Sequence, residues 1–362
     1  MKASIITLHS VCNYGTQLQA YATQEKMKEY FDKVCFVNYR RPNTYGVRLL
    51  KTFSRNNPIK MLAILPTLLA WKKVFGRFQK KYLNISPNTK NYLDDKSDIY
   101  FSGSDQVWNT GWNEGVIPEF YLSFVPDCIP KCSYSSSFGM DKINKSDKDV
   151  VKNYLSRFLR ISVREQSACK ILQEIGINDA IQIIDPSLVL NADFWRKKAP
   201  ESKIGKDYIL IYCLNRNKDL DNYAKRMAEK TGKKLYRLCT RYDQFFRSGK
   251  SILIPEILEF VTLIDNASYV ITDSFHATAF SINMNTIPVV FYPNKYSSRL
   301  RDILQLTGLE VCHPADYNDF DIIRRNISFA KSEEVLERER KKADQYLREV
   351  KMMLEGKREG AD

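Results

Sequence analysis

The sequence predicts an α/β protein with two Rossmann-like domains, a cleft between them and a C-terminal helix. Short apolar, β-favouring runs alternate with helical patterns along most of the chain, which is typical of parallel sheets covered by helices. This alternation starts again after a polar, basic segment at 194–205, which we interpret as the domain boundary. The length of 362 residues also exceeds what one compact domain usually needs.

The first domain is predicted over residues 1–195. A strand at 3–8 leads through a turn at 11–16 into a helix at 17–30, and a second strand follows at 34–37. The remaining predicted elements are strands at 99–101, 161–165 and 180–184 and helices at 147–159 and 167–176.

A basic helical insertion is predicted within this domain, over about residues 41–91. Its segment 58–82 is apolar, basic and aromatic. This composition fits either a pair of helices packed on the first domain or a surface helix that rests on anionic lipid. Pro66 is expected to interrupt any long amphipathic face, because proline disrupts the helical hydrogen-bond ladder.

The second domain is predicted over residues 206–330, and a charged C-terminal helix or tail over 331–362. The predicted elements of the second domain are strands at 208–214, 235–238, 269–272 and 287–291 and helices at 220–230, from Pro255 onward, and at 298–306. Gly308 is expected to end the last of these helices.

The composition indicates a globular protein with acidic partners. Apolar residues make up 44% of the chain, the formal net charge is +14, and the pI is about 9.2. Such a charge favours phosphorylated metabolites, nucleic acid or an anionic membrane surface. The only dense basic stretch lies between Arg48 and Lys81, and no nucleic-acid-binding module accompanies it, so we expect no nucleic-acid partner.

The eight cysteines do not have the spacing of a disulfide framework. Cys128 and Cys132 form an isolated C-x3-C pair without a nearby histidine, so we expect no metal site. The sequence also lacks a signal-peptide pattern and an apolar run of about 18 residues. Together these features predict a protein of the reducing cytoplasm.

Polar residues follow the predicted strands at their carboxyl ends, where parallel sheets bind ligands. These residues are Asn13, Gly15, Ser104, Asp105, Ser136 and Arg164. The strongest case is the corner after the strand at 269–272, where Asp273 and Ser274 are good N-cap residues and His276 follows. A helix N-terminus binds anions and an imidazole moves protons, although a capped helix with a packed histidine is the alternative interpretation.

Six motifs, taken in order, resemble the polysaccharide pyruvyl transferase family. They are Asn13-Tyr14-Gly15 with Leu18-Gln19-Ala20-Tyr21, Gly103 to Asn109, Ser135 to Gly139, Ile161 to Glu165, Asp185-Pro186, and Asp273 to His276. The resemblance covers roughly residues 3–310. It implies a fold similar to the two-domain glycosyltransferases of the GT-B type, which agrees with the two predicted domains.

The resemblance also implies an activity. Members of the family move the pyruvyl group of phosphoenolpyruvate onto two hydroxyls of one sugar, forming a pyruvate ketal and releasing phosphate. Phosphoenolpyruvate is then a co-substrate, and no cofactor is expected. The acceptor is a sugar of a cell-surface polysaccharide, such as that of a capsule, or its lipid-linked precursor. For a lipid-linked acceptor, the segment 58–82 is the natural place for peripheral contact with the inner face of the membrane.

The family's donor site assigns expected roles to individual residues. His276 is expected to be the catalytic acid or base, and Arg164 to hold an anionic group of the donor. Other expected donor contacts are Ser274, Thr278 and Arg299. The expected contacts to either donor or acceptor are Asn13, Gly15, Ser104, Asp105 and Ser136, for which loop-capping hydrogen bonds are the alternative interpretation.

Two positions depart from the family pattern. Ser274 stands where an arginine is typical, and Ala277 stands where glycine is usual. Either Arg299 or Arg301 supplies the missing cation, or the donor is not phosphoenolpyruvate. The alternative function is therefore a GT-B-like glycosyltransferase that uses a nucleotide sugar in surface polysaccharide synthesis. A basic scaffold or nucleic-acid binder without enzymatic activity is a third hypothesis.

Overall fold

A computed structural model describes residues 1–41, 44, 46–54, 57–87, 96–293 and 297–359 of the chain. The predicted insertion at about 41–91 and the predicted tail at 331–362 fall partly outside this range. Within the described residues the strands form two main sheets, and every pairing in them is parallel. The predicted alternation of strands and helices is confirmed.

The first sheet has four strands in the order β2-β1-β3-β4. They are β1 (Lys2–Ile6), β2 (Lys33–Phe36), β3 (Ile99–Ser102) and β4 (Lys131–Ser133). A small sheet of β5 (Ser162–Val163) and β6 (Ile181–Gln182) lies beside it, because isolated bridges join Ser136 to Val163 and Cys132 to Arg160. All residues of β3 and β4 are buried, and all but Lys131 are apolar or small; the Lys131 ammonium group donates to the Pro126 carbonyl at 2.8 Å.

The helices of this half begin with one that is almost completely buried. They are α1 (Tyr14–Met27), α2 (Gly46–Ser54), α3 (Pro58–Tyr82), α4 (Lys145–Leu155), α5 (Gln166–Glu174), α6 (Pro186–Val189) and α7 (Ala192–Lys198). In α1 every residue except Glu25 is buried. The amide N–H groups of its glutamines have partners: Gln17 donates to the carbonyls of His9 and Val11, and Gln24 donates to that of Tyr82.

The second sheet has five strands in the order β11-β10-β7-β8-β9. They are β7 (Tyr208–Tyr212), β8 (Leu235–Cys239), β9 (Lys250–Leu253), β10 (Ala267–Thr272) and β11 (Ile287–Val290). The helices of this half are α8 (Lys218–Thr231), α9 (Glu259–Asp265), α10 (Phe275–Asn283) and α11 (Ser298–Thr307), followed by the long α12 (Ala330–Glu359). Gly308 ends α11 with φ of 70°, as predicted.

Some local predictions were wrong. Helix α1 begins at Tyr14, three residues earlier than predicted, because the Asn13 side chain caps it by accepting from Thr16 N at 3.2 Å. The segment at 194–205 is not uniformly polar and irregular, because it includes the end of α7 with the fully buried Trp195; the domain boundary placed there stays a prediction. Helix α9 starts at Glu259 and not at Pro255.

Helix α3 also differs from the prediction. It runs without interruption through Pro66, so the proline does not divide it. Its second half packs on the core through Trp71, Val74 and Phe75, whereas no residue from 58 to 66 is buried. Among the described residues, no helix combines the length and the apolarity needed to cross a bilayer.

The two halves share a continuous apolar interface. Tyr14, at the start of α1, stacks on Phe260 with ring centroids 5.5 Å apart, and its hydroxyl donates to the Pro255 carbonyl at 2.8 Å. Helix α12 ties the halves together as well. Arg340 donates to Asn283 in the second half at 3.0 Å, and the Tyr346 hydroxyl donates to the Ser133 carbonyl in the first at 2.6 Å.

Candidate functional site

Polar side chains from both halves meet at the carboxyl ends of the strands. Asp105 follows β3, Arg164 follows β5, and Asp185 lies between β6 and α6. From the second half, His276 lies in the first turn of α10 and Arg299 in the first turn of α11. Arg299 is partly buried and the other four are buried, so charged groups are concentrated where little water competes with them.

Three carboxylates surround the guanidinium group of Arg164. Its Nη1 atom donates to Asp185 Oδ2 at 2.6 Å, its Nη2 atom lies 3.6 Å from Asp105 Oδ1, and its Nε atom lies 3.6 Å from Glu165 Oε2. Burial alone would lower the pKa of Arg164, but these carboxylates raise it. Nε and Nη2 make no hydrogen bond with any described residue, so they are available to a ligand or water.

Asp185 connects this arginine to the histidine. Burial favours the neutral acid, but His276 and Arg164 stabilise the carboxylate and hold the pKa of Asp185 far below its usual value. Its other oxygen, Oδ1, accepts from the backbone N–H of Ser187 at 2.9 Å and from the Ser187 hydroxyl at 2.6 Å. The carboxylate is therefore fixed in position and ionised.

Asp105 is held in a comparable way. Its Oδ2 atom accepts from the Thr16 hydroxyl at 2.7 Å. Arg164 lowers the pKa of Asp105 against the opposing effect of burial. The backbone of Asp105 has φ of 77°, a conformation that is uncommon for residues other than glycine and is found more often at functional sites.

The His276 ring packs against the first turn of α1. A Cβ atom at Gly15 would lie 2.1 Å from His276 Cγ, so only glycine fits at this position. His276 Nε2 lies 3.6 Å from Asp185 Oδ2 and has no hydrogen-bond partner among the described residues. Because α1 and α10 both begin here, the positive ends of two helix dipoles lie near the imidazole, which favours an anionic ligand.

Arg299 is the least compensated cation of the cluster. Among the described residues no carboxylate lies within 4.0 Å of it, and its Nε atom has no hydrogen-bond partner. Burial and the nearby charge of Arg164 lower the pKa of Arg299 to about 10. Both guanidinium groups lie over the ring of Phe275, at 4.7 Å for Arg164 and 5.4 Å for Arg299.

A cavity of about 510 Å³ opens beside Phe275 and Arg299. Its other lining residues are Leu214, Asn215, Arg216, Asn217, Asp273, Tyr292, Pro293 and Leu300. The Asp273 carboxylate shapes the wall by accepting from the backbone N–H groups of Leu214 and Asn215 at 2.7 and 3.0 Å. The cavity thus lies at the carboxyl ends of β7 and β10, next to the histidine corner.

The structure brings only some of the predicted site residues together. Those that share the cluster are Gly15, Asp105, Arg164, His276 and Arg299. Asn13 caps α1, and Ser274 caps α10 by accepting from Ala277 N at 3.4 Å. Thr278 and Ser136 are fully buried, and their hydroxyls donate to nearby backbone carbonyls. The Ser104 hydroxyl is buried and has no hydrogen-bond partner among the described residues.

The two candidate replacements for the missing arginine occupy different environments. Arg299 lines the cavity, whereas the Arg301 side chain is 53% exposed and lies 3.8 Å from Asp141. Arg299 is therefore better placed to act on a bound donor.

Sequence reasoning did not assign several residues of the cluster. Asp185 was noted only as part of a motif, and its Asp-Pro-Ser pattern could have identified it as a polar residue at a strand end. Thr16, Glu165 and Phe275 carry no local pattern that indicates their contacts. Within the described residues, no group of histidine, cysteine, aspartate or glutamate side chains is arranged to hold a metal ion.

Comparisons with known proteins agree with this architecture. The sequence model of the family described as "Polysaccharide pyruvyl transferase" matches residues 13–296, which is most of the chain. No curated protein matches the sequence.

Solved structures resemble the fold at low sequence identity. The Staphylococcus aureus MnaA–UDP co-structure has a TM-score of 0.56 and 12% identity, covering 92% of this chain and 91% of that one. A Listeria monocytogenes protein described as a UDP-N-acetylglucosamine 2-epimerase has a TM-score of 0.52 and 11% identity, covering 94% and 90%. The glycosyltransferase SnogD from Streptomyces nogalater has a TM-score of 0.50 and 10% identity, covering 98% and 99%. These likenesses confirm the predicted GT-B-like fold.

Proposed function

The chain belongs to the polysaccharide pyruvyl transferase family, and we propose that it moves the pyruvyl group of phosphoenolpyruvate onto a sugar of a cell-surface polysaccharide or its lipid-linked precursor. The observation that carries this proposal is the position of Arg299: it lines the cavity of about 510 Å³ and lies over Phe275, the residue that precedes His276 at the start of α10. Arg299 is a cation without a carboxylate partner among the described residues, and it compensates for Ser274 at the usual position of an arginine.

Charge explains how the donor would bind. Phosphoenolpyruvate carries a carboxylate and a phosphate, and arginine holds either group through paired hydrogen bonds. Arg299 would neutralise one of them, and an anion at this place would remove the electrostatic cost of keeping Arg299 near Arg164. Arg164 already has three carboxylate neighbours, so its contribution would be limited to Nε and Nη2, which face Glu165 and Asp105 at 3.6 Å but make no hydrogen bond with them.

In the proposed reaction His276 gives a proton to the methylene carbon C3 of the donor, which makes C2 cationic. One sugar hydroxyl bonds to C2 and returns its proton to His276. The second hydroxyl then bonds to C2 as the C2–O bond to phosphate breaks, and phosphate leaves with the second proton. Asp185 orients the imidazole during these steps, and the N-terminal ends of α1 and α10 stabilise the departing anion.

A second cavity, of about 310 Å³, is the proposed acceptor site. It is lined by Val11, Cys12, Arg41, Thr44, Leu49, Thr52, Phe53, Trp71, Trp112 and Glu114. Arg41 lies over the ring of Trp112, with the guanidinium carbon 3.7 Å from the ring centroid. Aromatic walls with a carboxylate suit the apolar faces and hydroxyls of a sugar. Cys12 adjoins the turn that leads to Gly15 and the His276 ring, so this cavity is near the proposed donor site.

The proposed substrates place the reaction in the cytoplasm, at the inner face of the membrane. Phosphoenolpyruvate is a cytoplasmic metabolite, and a lipid-linked acceptor would require peripheral contact with the bilayer. No cofactor is proposed.

The test is incubation with phosphoenolpyruvate and an oligosaccharide or lipid-linked acceptor from the same cell. We expect phosphate release together with the mass increase of a pyruvate ketal. The His276→Ala protein should lose about 10²–10⁴-fold in turnover, because that is the usual contribution of a general acid or base. Wild-type turnover by a folded His276→Ala protein would exclude His276 from the mechanism.

The alternative function, glycosyl transfer from a nucleotide sugar, is favoured by two observations. The cavity of about 510 Å³ is larger than phosphoenolpyruvate requires, and one structure of similar fold is a UDP complex. Thermal unfolding with each ligand separates the two functions, because a ligand that binds the folded state raises its stability. If UDP-sugars raise the unfolding temperature and phosphoenolpyruvate does not, the donor is a nucleotide sugar and the proposed pyruvyl transfer is wrong.

A further inference from the structure

The first half of helix α3 carries a row of exposed apolar side chains. Ile59, Leu62, Leu65 and Leu69 are 78%, 70%, 40% and 68% exposed. At roughly 100° per residue they occupy a sector of about 120° on one face of the helix. A contiguous apolar surface of this kind is unusual in a soluble protein without a partner.

The second half of the same helix shows that this row is not part of the core. Trp71, Val74, Phe75 and Phe78 are buried, and they lie on the opposite side of the helix. No residue from 58 to 66 is buried. The exposed leucines can therefore be replaced without opening a cavity in the protein.

The charge around this row has one sign. Between Asp32 and Asp94 the sequence contains thirteen lysines and arginines and no aspartate or glutamate. Lys72 and Lys73 are exposed, and by helix geometry Lys72 lies at one edge of the apolar row while Lys73 follows it in the next turn on the same face. Lys60 is also exposed, near the beginning of the helix. Exposed leucines flanked by lysines match an interface of acyl chains and anionic headgroups.

We propose that the first half of α3 is an in-plane membrane anchor that inserts its apolar row into a bilayer containing anionic lipid. The anchor requires neither phosphoenolpyruvate nor an acceptor, so it can be tested separately from the proposed reaction. It also has a consequence for the acceptor. Phe53 of α2 and Trp71 of α3 line the cavity of about 310 Å³, so the anchor would hold that cavity close to the membrane surface.

The test is flotation of the full-length protein with vesicles of phosphatidylcholine alone and with an equal mixture of phosphatidylcholine and phosphatidylglycerol. We expect binding only to the anionic vesicles. A Leu62→Asp/Leu69→Asp protein should bind at least about tenfold more weakly, because two aliphatic side chains that insert into the bilayer are lost. Lys72→Gln/Lys73→Gln should weaken binding about 30-fold, since each cation near an anionic leaflet contributes roughly fivefold.

The matched control is Met352→Asp, which replaces an equally exposed apolar residue on α12, 68% exposed, and should leave vesicle binding unchanged. Thermal unfolding should show that all variants keep the wild-type fold. The proposal is overturned if the wild-type protein binds both vesicle types equally or neither. It is also overturned if Leu62→Asp/Leu69→Asp retains full binding, or if that change alters only the oligomeric state in light scattering, which would make the row a protein interface.

Discussion

Substitution of Gly15 by alanine tests the proposed catalytic centre through a residue that carries no functional group. The added Cβ atom would lie 2.1 Å from His276 Cγ and 2.2 Å from Nδ1, whereas ordinary contacts begin at 3.4 Å. His276 Cβ would lie 2.4 Å away as well, so the whole side chain must retreat, with the ring moving by about 1.3 Å, the difference between 3.4 and 2.1 Å. A displacement of about 1 Å costs on the order of 10²-fold in rate. We expect turnover to fall by that factor.

The loss of stability should be at most about 2 kcal/mol, so the protein should still fold and its turnover can be measured. Gly15 lies in the first turn of α1 with a negative φ, so alanine fits the backbone and adds about 1 kcal/mol of helix propensity. This gain offsets part of the overpacking cost of about 1–3 kcal/mol. Turnover is measured by phosphate release at saturating donor and acceptor, and the free energy of unfolding by urea denaturation.

Gly76 provides the matched control. It lies inside α3, and a Cβ atom there would meet nothing within 4 Å. Gly76→Ala should stabilise the protein by about 1 kcal/mol and leave turnover unchanged. A Gly15→Ala protein that folds normally and turns over at the wild-type rate would refute the placement of His276 at the reacting centre.

Three other substitutions probe the cluster and the core beneath it. Asp185→Asn keeps the cap of α6 but removes the negative charge beside Arg164 and His276. Turnover should therefore fall by about 10²–10⁴-fold, and the free energy of unfolding by about 3 kcal/mol. Unchanged steady-state kinetics would contradict the role of Asp185 in positioning His276. Arg299→Gln should weaken phosphoenolpyruvate binding at least about tenfold in ligand-dependent thermal unfolding, because a charge-assisted contact is lost; an equal midpoint shift would exclude Arg299 from the donor site. Burial, together with Arg40, lowers the pKa of His9 from 6.5 to about 4. Between these two pH values the unfolded chain binds a proton at His9 that the folded protein does not. The free energy of unfolding therefore falls as the pH falls through this window. His9→Phe should flatten that dependence by up to about 3 kcal/mol in urea denaturation between pH 6.5 and 4, and an unchanged slope would show that His9 is not the group responsible.

Much of the fold was predictable because its signals are local. The central strands β3 and β7 are buried at every residue, so their sequences are largely apolar runs that differ clearly from the helices between them. Ser274 and Gly308 act at the helix ends where cap chemistry places them. Helix α3 shows the limit of such rules, because packing of Trp71 and Phe75 on the core stabilises a helix that Pro66 alone would interrupt.

The sequence predicted which strand ends carry polar residues, but it did not predict which of those residues contact one another. The order of motifs indicates the family, and each polar corner is recognisable from its own neighbours. The domain limits, the cytoplasmic localisation and the roles of the predicted site residues stay predictions. The local sequence at a strand end does not show which side chains already have hydrogen-bond or ion-pair partners within the protein. Thr278 and Ser136 satisfy backbone carbonyls, whereas Arg164 has three carboxylate neighbours.

The sequence by itself determined the alternation of strands and helices, the caps and the family, since these depend on residues close together in the chain. The tertiary structure decided that His276 packs on Gly15, that Asp185 lies between Arg164 and the imidazole, and that half of α3 stays exposed. These contacts join residues from separate sheets or from distant segments. They depend on how two apolar surfaces dock and how buried charges find partners, and local propensity contains no information about either.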